Sequence, residues 1–451
     1  MNITFLGATQ TVTGSKYLIE NNRSKILVDC GLFQGLKDLR LRNRAPFSIH
    51  PSEITAVVLT HAHLDHSGYI PVLIKNGFRG NIYCTPGTER LAQILLPDAG
   101  YIQEEEAEYA NRKGYSKHHP ALPLFTKEDA IKSLDFFRTI PFEKKFEPAR
   151  GFQAQLIHAG HIIGSSFVKL TSQVKTITFS GDLGRPRDPV MYPPHAIRET
   201  DYLVIESTYG NRVHPPEDPS LQLSEIINRV SARGGSIVIP AFAVGRSQSV
   251  LYHLYRLRRS NQIPAIPIYL DSPMSVQAME ILCNFVGEHR LKADICNSLK
   301  DMILVARTSE DSKKIDESTE PVIILSANGM ATGGRVLHHI RRFGTDPKNA
   351  IVFTGFQALG TRGADLLNGK GEIKIHGELR PIRAEVALID TLSAHSDAEE
   401  TIAWLRQIRH PPQMTFITHG EKEAAAALQA KITDELGWRT QVPTFQQSFE
   451  L

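Results

Sequence analysis

The stretch Ala56-Val57-Val58-Leu59-Thr60 is apolar and rich in β-branched residues, and it runs straight into His61-Ala62-His63-Leu64-Asp65-His66. A short continuous apolar run of this kind reads as a buried strand, which puts the histidines in the loop at its carboxyl end. In extended backbone, residues two apart face the same side, so His61 and His63 can converge on one ion while Asp65 and His66 turn toward a second. Imidazole and carboxylate together suit a borderline-soft cation such as zinc, and two such ions can hold a bridging hydroxide as a nucleophile at neutral pH. Further ligands must therefore come from downstream.

The candidates are His158 and His161 in HAGHIIGSS, Asp182 in FSGDLG and His419 in FITHGE. Each lies at the carboxyl end of a predicted strand or in the loop after it. A single histidine in such a place is more often a hydrogen-bonded loop residue, but the set shares one architecture.

At 451 residues the chain has material for two or three domains with full cores. The runs Ile3–Leu6, Tyr17–Ile19 and Lys25–Val28, with Asn21-Asn22 between the last two, predict an antiparallel start. From about Tyr202, strands and helices alternate, which predicts a parallel-sheet α/β unit. Lys plus Arg number 51 against 48 Asp plus Glu, so the net +3 excludes a broad electrostatic magnet for polyanions and leaves only local sites. The four cysteines lie far apart with no C-x-x-C pair, which argues against thiolate zinc sites and disulfide scaffolds and fits a reducing cytoplasm. No stretch approaches the roughly 18 apolar residues that span a bilayer, and the first residues do not read as a signal peptide. The expectation is a soluble, unprocessed cytoplasmic protein with no membrane partner.

In order and context, Thr60–His66 resembles the HxHxDH motif of the metallo-β-lactamase fold. Asp29 in ILVDCG, His161, Asp182 and His419 stand where that family has its other marks. The β-CASP branch is closer still, because Glu206 in IESTYG, His395 in SAHSD and His419 in THGE resemble its motifs A, B and C. The resemblance covers the whole chain and is strongest with RNA-cleaving members: bacterial and archaeal β-CASP ribonucleases and the endonuclease subunit of pre-mRNA 3′-end processing. It implies an α/β fold, an αββα metallo-β-lactamase sandwich with an inserted parallel-sheet β-CASP domain. The implied divisions are residues 1–207 and 393–451 for the sandwich and 208–392 for the insert, with a cleft between domains suited to an extended substrate.

Carried over residue by residue, the resemblance implies two zinc ions per chain. His61, His63 and His161 would hold one and Asp65, His66 and His419 the other, with Asp182 bridging. Asp29 would orient the histidine loop without binding metal, and His158 would be a supporting residue. Glu206 and His395 would form the general-acid pair, the histidine protonating a leaving alkoxide and the carboxylate fixing its tautomer. At predicted helix starts in the insert, Arg246 in PAFAVGRSQS and Gly329, Gly333, Gly334 and Arg335 in SANGMATGGR are candidates for phosphate contact, with ordinary turns the rival reading for the glycines. In the charged segment 103–119, Lys113, Lys117, His118 and His119 could line a substrate rim, although a solvated helix and loop is the plainer reading.

These readings converge on a zinc-dependent ribonuclease that cleaves RNA, single-stranded by preference, through a metal-bound hydroxide, leaving 3′-hydroxyl and 5′-phosphate ends. Three alternatives stand beside it: a single-stranded DNA nuclease, a thioester or lactam hydrolase, and a catalytically silent RNA-binding scaffold. The histidine at motif C favours RNA by family pattern, the large insert and the Glu206/His395 pair disfavour a small-molecule hydrolase, and the filled ligand positions disfavour a scaffold. A homo-oligomer or partners in a processing complex stay open.

Overall fold

The computed structural model describes residues 1–114, 118–173, 175–358 and 360–451, so Lys117 lies outside the described residues. The chain divides into two compact units, residues 1–213 with 395–451, and residues 214–394.

The first unit contains, among the described residues, two seven-stranded sheets. One begins with the antiparallel strands Asn2–Phe5, Tyr17–Glu20 and Lys25–Val28, then continues in parallel through Ala56–Val58, Asn81–Cys84 and Phe137–Thr139. The Asn21 turn is real: its side-chain oxygen accepts from the backbone N–H groups of Arg23 and Ser24, both at 2.8 Å. The other sheet has the antiparallel strands Lys145–Ala149, Phe152–His158, Ser166–Ser172 and Lys175–Phe179, joined in parallel to Tyr202–Glu206 and Met414–Thr418.

Inward-facing residues of both sheets, among them Phe5, Tyr17, Val28, Val58, Val168, Phe179, Val204 and Phe416, form one apolar core. Alternate residues of the second sheet, such as Leu203, Ile205 and Ile417, face the other way and pack on Ile402, Leu405, Leu428 and Ile432 of the helices Ala398–Leu405 and Lys422–Leu436. Parallel connections return over the outer face of the first sheet through helices such as Ile70–Lys75 and Pro86–Lys113. This is an αββα sandwich.

The second unit is built on a fully parallel sheet of six strands among the described residues, ordered Leu304–Val305, Ile268–Asp271, Ile323–Ser326, Ile237–Pro240, Ala350–Phe353, Glu385–Leu388. Its core joins Val238, Ile324, Ile351 and Phe353 to Val336, Leu337 and Ile340 of the helix Val336–Phe343. Among the described residues no helix is long and apolar enough to cross a membrane.

The segment from Gln103 is helix through Lys113, in keeping with the helical part of the expected helix and loop, and it is the last part of the 28-residue helix Pro86–Lys113, which ends on Gly114 at a φ of 66°. The sequence of this last part shows no apolar periodicity, because most of the side chains the helix buries, such as Leu91 and Leu95, lie in its first half, with Ala110 buried further along.

Candidate metal centre

The candidate ligands sit where strands of the sandwich end. Ala56–Val58 leads into His61–His66, Phe152–His158 into His161, Lys175–Phe179 into Asp182, and Met414–Thr418 into His419. In a sheet, adjacent parallel strands release their loops on the same edge, so residues far apart in sequence meet there. All seven expected ligands come together in two groups of donor atoms.

In the first group His63 Nδ1 lies 3.2 Å from His61 Nε2 and 3.3 Å from His161 Nε2, while Asp182 Oδ2 lies 3.3 Å from His61 Nε2 and 3.4 Å from His161 Nε2. In the second, His66 Nε2 is 3.1 Å from both Asp182 Oδ1 and His419 Nε2, and His419 Nε2 is 3.4 Å from Asp65 Oδ2. Four ligands held at 2.0–2.1 Å around a tetrahedral ion stand about 3.3–3.4 Å from one another, which is the spacing of the first group.

The hydrogen-bond partners fix the tautomers. Asp29, fully buried with φ at 57°, accepts from the Thr60 backbone N–H at 2.8 Å, the Thr60 hydroxyl at 2.9 Å and His66 Nδ1–H at 2.7 Å. Because Thr60 gives its hydroxyl proton to Asp29, its oxygen accepts from His61 Nδ1–H at 3.0 Å. In the same way Thr208 donates to Glu206 Oε2 at 2.6 Å and accepts from His419 Nδ1–H at 3.2 Å. His61, His66 and His419 therefore turn bare Nε2 lone pairs inward. Sequence reasoning assigned no role to Thr60 and Thr208; both are hydroxyl residues within two positions of an assigned residue, and nothing more in the sequence marks them.

Without a cation the electrostatics match this donor set at His63 and His161 but not at His66, where burial is outweighed by the Asp182 and Asp29 carboxylates, which raise it well above its ordinary value. Burial, helped by the neighbouring His61, pushes His63 down to about 3, and burial with His395 holds His161 well below its ordinary value, so both imidazoles are neutral. Burial works against the charged forms of Asp65 and Asp182, yet the surrounding histidines outweigh it and hold both well below the usual carboxylate range. Asp182 Oδ1 is buried with no hydrogen-bond partner among the described residues. Converging lone pairs around a buried carboxylate fit cations and nothing else in the amino-acid repertoire.

Glu206 and His395 stand beside this cluster. His395 Nδ1 is 3.1 Å from both Glu206 oxygens, and its Nε2 points inward, 4.0 Å from Asp182 Oδ2. Glu206 is itself held by the Leu183 N–H at 2.5 Å. Burial opposes the imidazolium of His395, but the Glu206 and Asp182 carboxylates prevail and lift it to about 9; a bound cation opposes that rise.

His158 is outside both groups, its ring between Phe142 and His195 at centroid distances of 5.4 and 5.5 Å. The expected phosphate contacts all lie in the second unit. Arg246 opens the helix Arg246–Arg259, buried, with its guanidinium backing Gly355. Gly334 needs its left-handed φ of 77°, whereas Gly333 faces open space. Arg335 differs most from expectation: its guanidinium donates to Asp271 Oδ1 at 2.7 Å and to the carbonyls of Ala306 and Arg307, so its charge is matched inside the unit.

A sandwich carrying this donor set at its strand ends defines a metallo-hydrolase. Three family profiles match: the metallo-beta-lactamase superfamily over residues 11–225, the Beta-Casp domain over 247–366, and the Zn-dependent metallo-hydrolase RNA specificity domain over 380–443. Ribonuclease TTHA0252 of Thermus thermophilus is 35% identical over 95% of each chain. Transcription termination factor FttA of Methanosarcina mazei is 30% identical, covering 100% of this chain and 72% of its own. An RNase J-like protein of Methanocaldococcus jannaschii is 29% identical over 98% and 96%. A crystal structure of a protein of unknown function from Enterococcus faecalis shares the fold, with a TM-score of 0.54 at 14% identity over 100% of this chain and 99% of that one. The chain belongs to the β-CASP branch of the metallo-β-lactamase superfamily, a Zn-dependent metallo-hydrolase family.

Proposed function

We propose that this chain is a ribonuclease that hydrolyses RNA phosphodiesters at a centre for two zinc ions. The observation that carries the reading is the division of Asp182: Oδ2 faces His61 and His161, Oδ1 faces His66 and His419. A single carboxylate shared in this way suits a pair of ions a few ångströms apart, the arrangement used for phosphoryl centres. His61, His63 and His161 would hold one ion, Asp65, His66 and His419 the other. Bound zinc would supply Lewis acidity, activating water and offsetting charge on the phosphate. The match to an RNA specificity domain and the ribonuclease among its relatives support RNA as substrate.

The chain's own residues supply the rest. Asp29, Thr60 and Thr208 hold the imidazole tautomers, so that no ligand must lose a proton to bind. Glu206 keeps the proton of His395 on Nδ1 and supports a second on Nε2, from which it passes to the departing 3′ oxygen. The product ends are then a 3′-hydroxyl and a 5′-phosphate.

The test is cleavage of end-labelled RNA and a matched DNA strand with and without chelator, beside metal analysis. About two zinc ions per chain with chelator-sensitive cleavage of RNA supports the reading. A protein that purifies without metal and cleaves neither strand on zinc addition sinks it.

A further inference from the structure

Just downstream of Asp29 the chain turns basic. Lys37, Arg40, Arg42 and Arg44 put four positive charges within eight residues, with Asp38 the acid among them. Lys37, Arg40 and Arg44 are exposed and Arg42 is half-buried. Among the described residues none of the four stands in an ion pair within 4.0 Å, and Arg40 acts on Glu106 only at longer range. Against a net charge of +3 for the whole chain, this is a local concentration.

An aromatic surface accompanies the charge. The Arg42 guanidinium lies 4.3 Å from the ring centroid of Phe445 and 5.5 Å from that of Phe33. Phe445 is 37% exposed, and Leu36, just before the helix Lys37–Arg42, and Leu41, within it, are 50% and 51% exposed. Stacked arginine and phenylalanine, with cations around them that stand in no ion pair and of which Arg44 donates to the Leu122 carbonyl at 2.6 Å, present a π-face and positive charge together, the combination that holds single-stranded nucleic acid.

The patch is also tied to the metal loop. Asn43, buried, clamps Phe33 from both sides: its side-chain oxygen accepts from the Phe33 N–H at 2.9 Å and its amide donates to the Phe33 carbonyl at 2.8 Å. The Phe33 ring meets the buried ammonium of Lys16 at 4.6 Å, and Tyr69 meets it from another side at 4.7 Å. Lys16 donates to the Gly31 carbonyl, and Gly31 packs so tightly on the Asp65 backbone that a Cβ would lie 1.6 Å from its carbonyl oxygen. Gly31 and Phe33 are two residues apart, at most about 7 Å. The basic helix is thus held within a few nucleotides' reach of a zinc ligand.

We infer that Lys37–Arg44 and Phe445 form a second RNA-binding surface, where Arg42 and Phe445 stack an unpaired nucleobase and Lys37, Arg40 and Arg44 neutralise phosphates of the strand running from the metal centre. This rests on the ribonuclease reading above.

The full chain is assayed for KM, kcat and salt dependence on an unstructured oligouridylate, and for binding of the same labelled strand by anisotropy. The triple variant Lys37→Gln/Arg40→Gln/Arg44→Gln should raise KM about tenfold and flatten the log-log salt slope by about 2, since each single-strand phosphate contact contributes ~0.7. Phe445→Ala should weaken binding roughly five- to a hundredfold, as loss of one stacked base does. Arg42→Lys, which keeps the charge and loses the flat fork, should weaken binding without changing the slope. The matched triple Lys300→Gln/Lys313→Gln/Lys314→Gln, in the second unit, should match wild type in both. Patch variants with wild-type affinity and slope overturn the inference, as does a Phe445→Ala protein that binds as well as wild type. If wild type binds the strand but never cleaves it, the ribonuclease reading fails alone; the anisotropy slopes still decide for or against the patch.

Discussion

Each unit of this chain buries a cluster of histidine and carboxylate, and the two clusters are wired in opposite ways. In the second unit His339, fully buried, gives one ring nitrogen to Asp271 and the other to Asp316, each at 2.7 Å. Asp271 also accepts from Arg335 at 2.7 Å and from the Ser312 hydroxyl at 2.5 Å. Every donor there ends on an acceptor, and the charges cancel. In the first unit the bare Nε2 lone pairs of His66 and His419 face each other at 3.1 Å, and one oxygen of Asp182 has no hydrogen-bond partner among the described residues. Composition alone does not separate the two. What separates them is where the protons sit: alternating donors and acceptors close into a structural brace, while acceptors that converge require a cation.

The largest expected effect comes from removing Asp182, the group that the two proposed ion sites would share. Asp182→Ala should abolish RNA hydrolysis and lower bound zinc while leaving the fold intact, and His63→Ala should do likewise at one site. Metal content, circular dichroism and cleavage are measured on the same preparation. A well-folded, metal-free Asp182→Ala protein with full turnover would erase the contrast between the clusters.

Next in size is His395→Ala. It should slow cleavage by roughly 10²–10⁴-fold, the range for a general acid, with zinc content unchanged. If zinc leaves with the side chain, His395 belongs to the converging acceptors and the boundary between metal ligand and acid has to be redrawn.

The second cluster should respond in stability. Asp271→Ala strands the charges of His339 and Arg335 away from their partner, and breaking a buried pair in this way costs about 3–5 kcal/mol. Urea denaturation reads that loss, and zinc content should stay at the wild-type value. Loss of zinc without loss of stability would mean that the second cluster serves the metal centre after all.

The metal centre was legible where its chemistry is local: His61, His63, Asp65 and His66 share six residues at the end of one strand. His161, Asp182 and His419 each carry little signal alone, because sheet topology brings them together, and the family resemblance supplied what spacing could not. Arg335 shows the same limit in reverse. A glycine-rich turn before a helix resembles a phosphate cradle, and the acid that engages its charge, Asp271, lies 64 positions away. The basic helix Lys37–Arg42 went unremarked because six residues with no buried face show no periodicity, and its aromatic partner Phe445 is at the far end of the chain.

The smallest expected effect is a pH dependence confined to the second cluster. Burial disfavours the charged form of His339, but its bonds to Asp271 and Asp316 outweigh that and raise it above the ordinary 6.5. Burial likewise works against Asp271, yet His339, Ser312 and Arg335 hold it below the ordinary 3.8. A histidine raised by folding stabilises fully below its unfolded value and loses that contribution as pH climbs through the folded one; a carboxylate lowered by folding loses its contribution as pH falls. The brace is therefore strongest between 3.8 and 6.5, and it weakens above neutrality as His339 gives up its proton. Hydrogen-exchange protection of the helix Val336–Phe343, which carries His339, reads this locally. Protection should fall as pH rises from 6.5, and His339→Gln should start lower and stay flat. A wild-type helix equally protected across that range would mean that His339 does not change its protonation there, and the predicted pH dependence of the brace would fail.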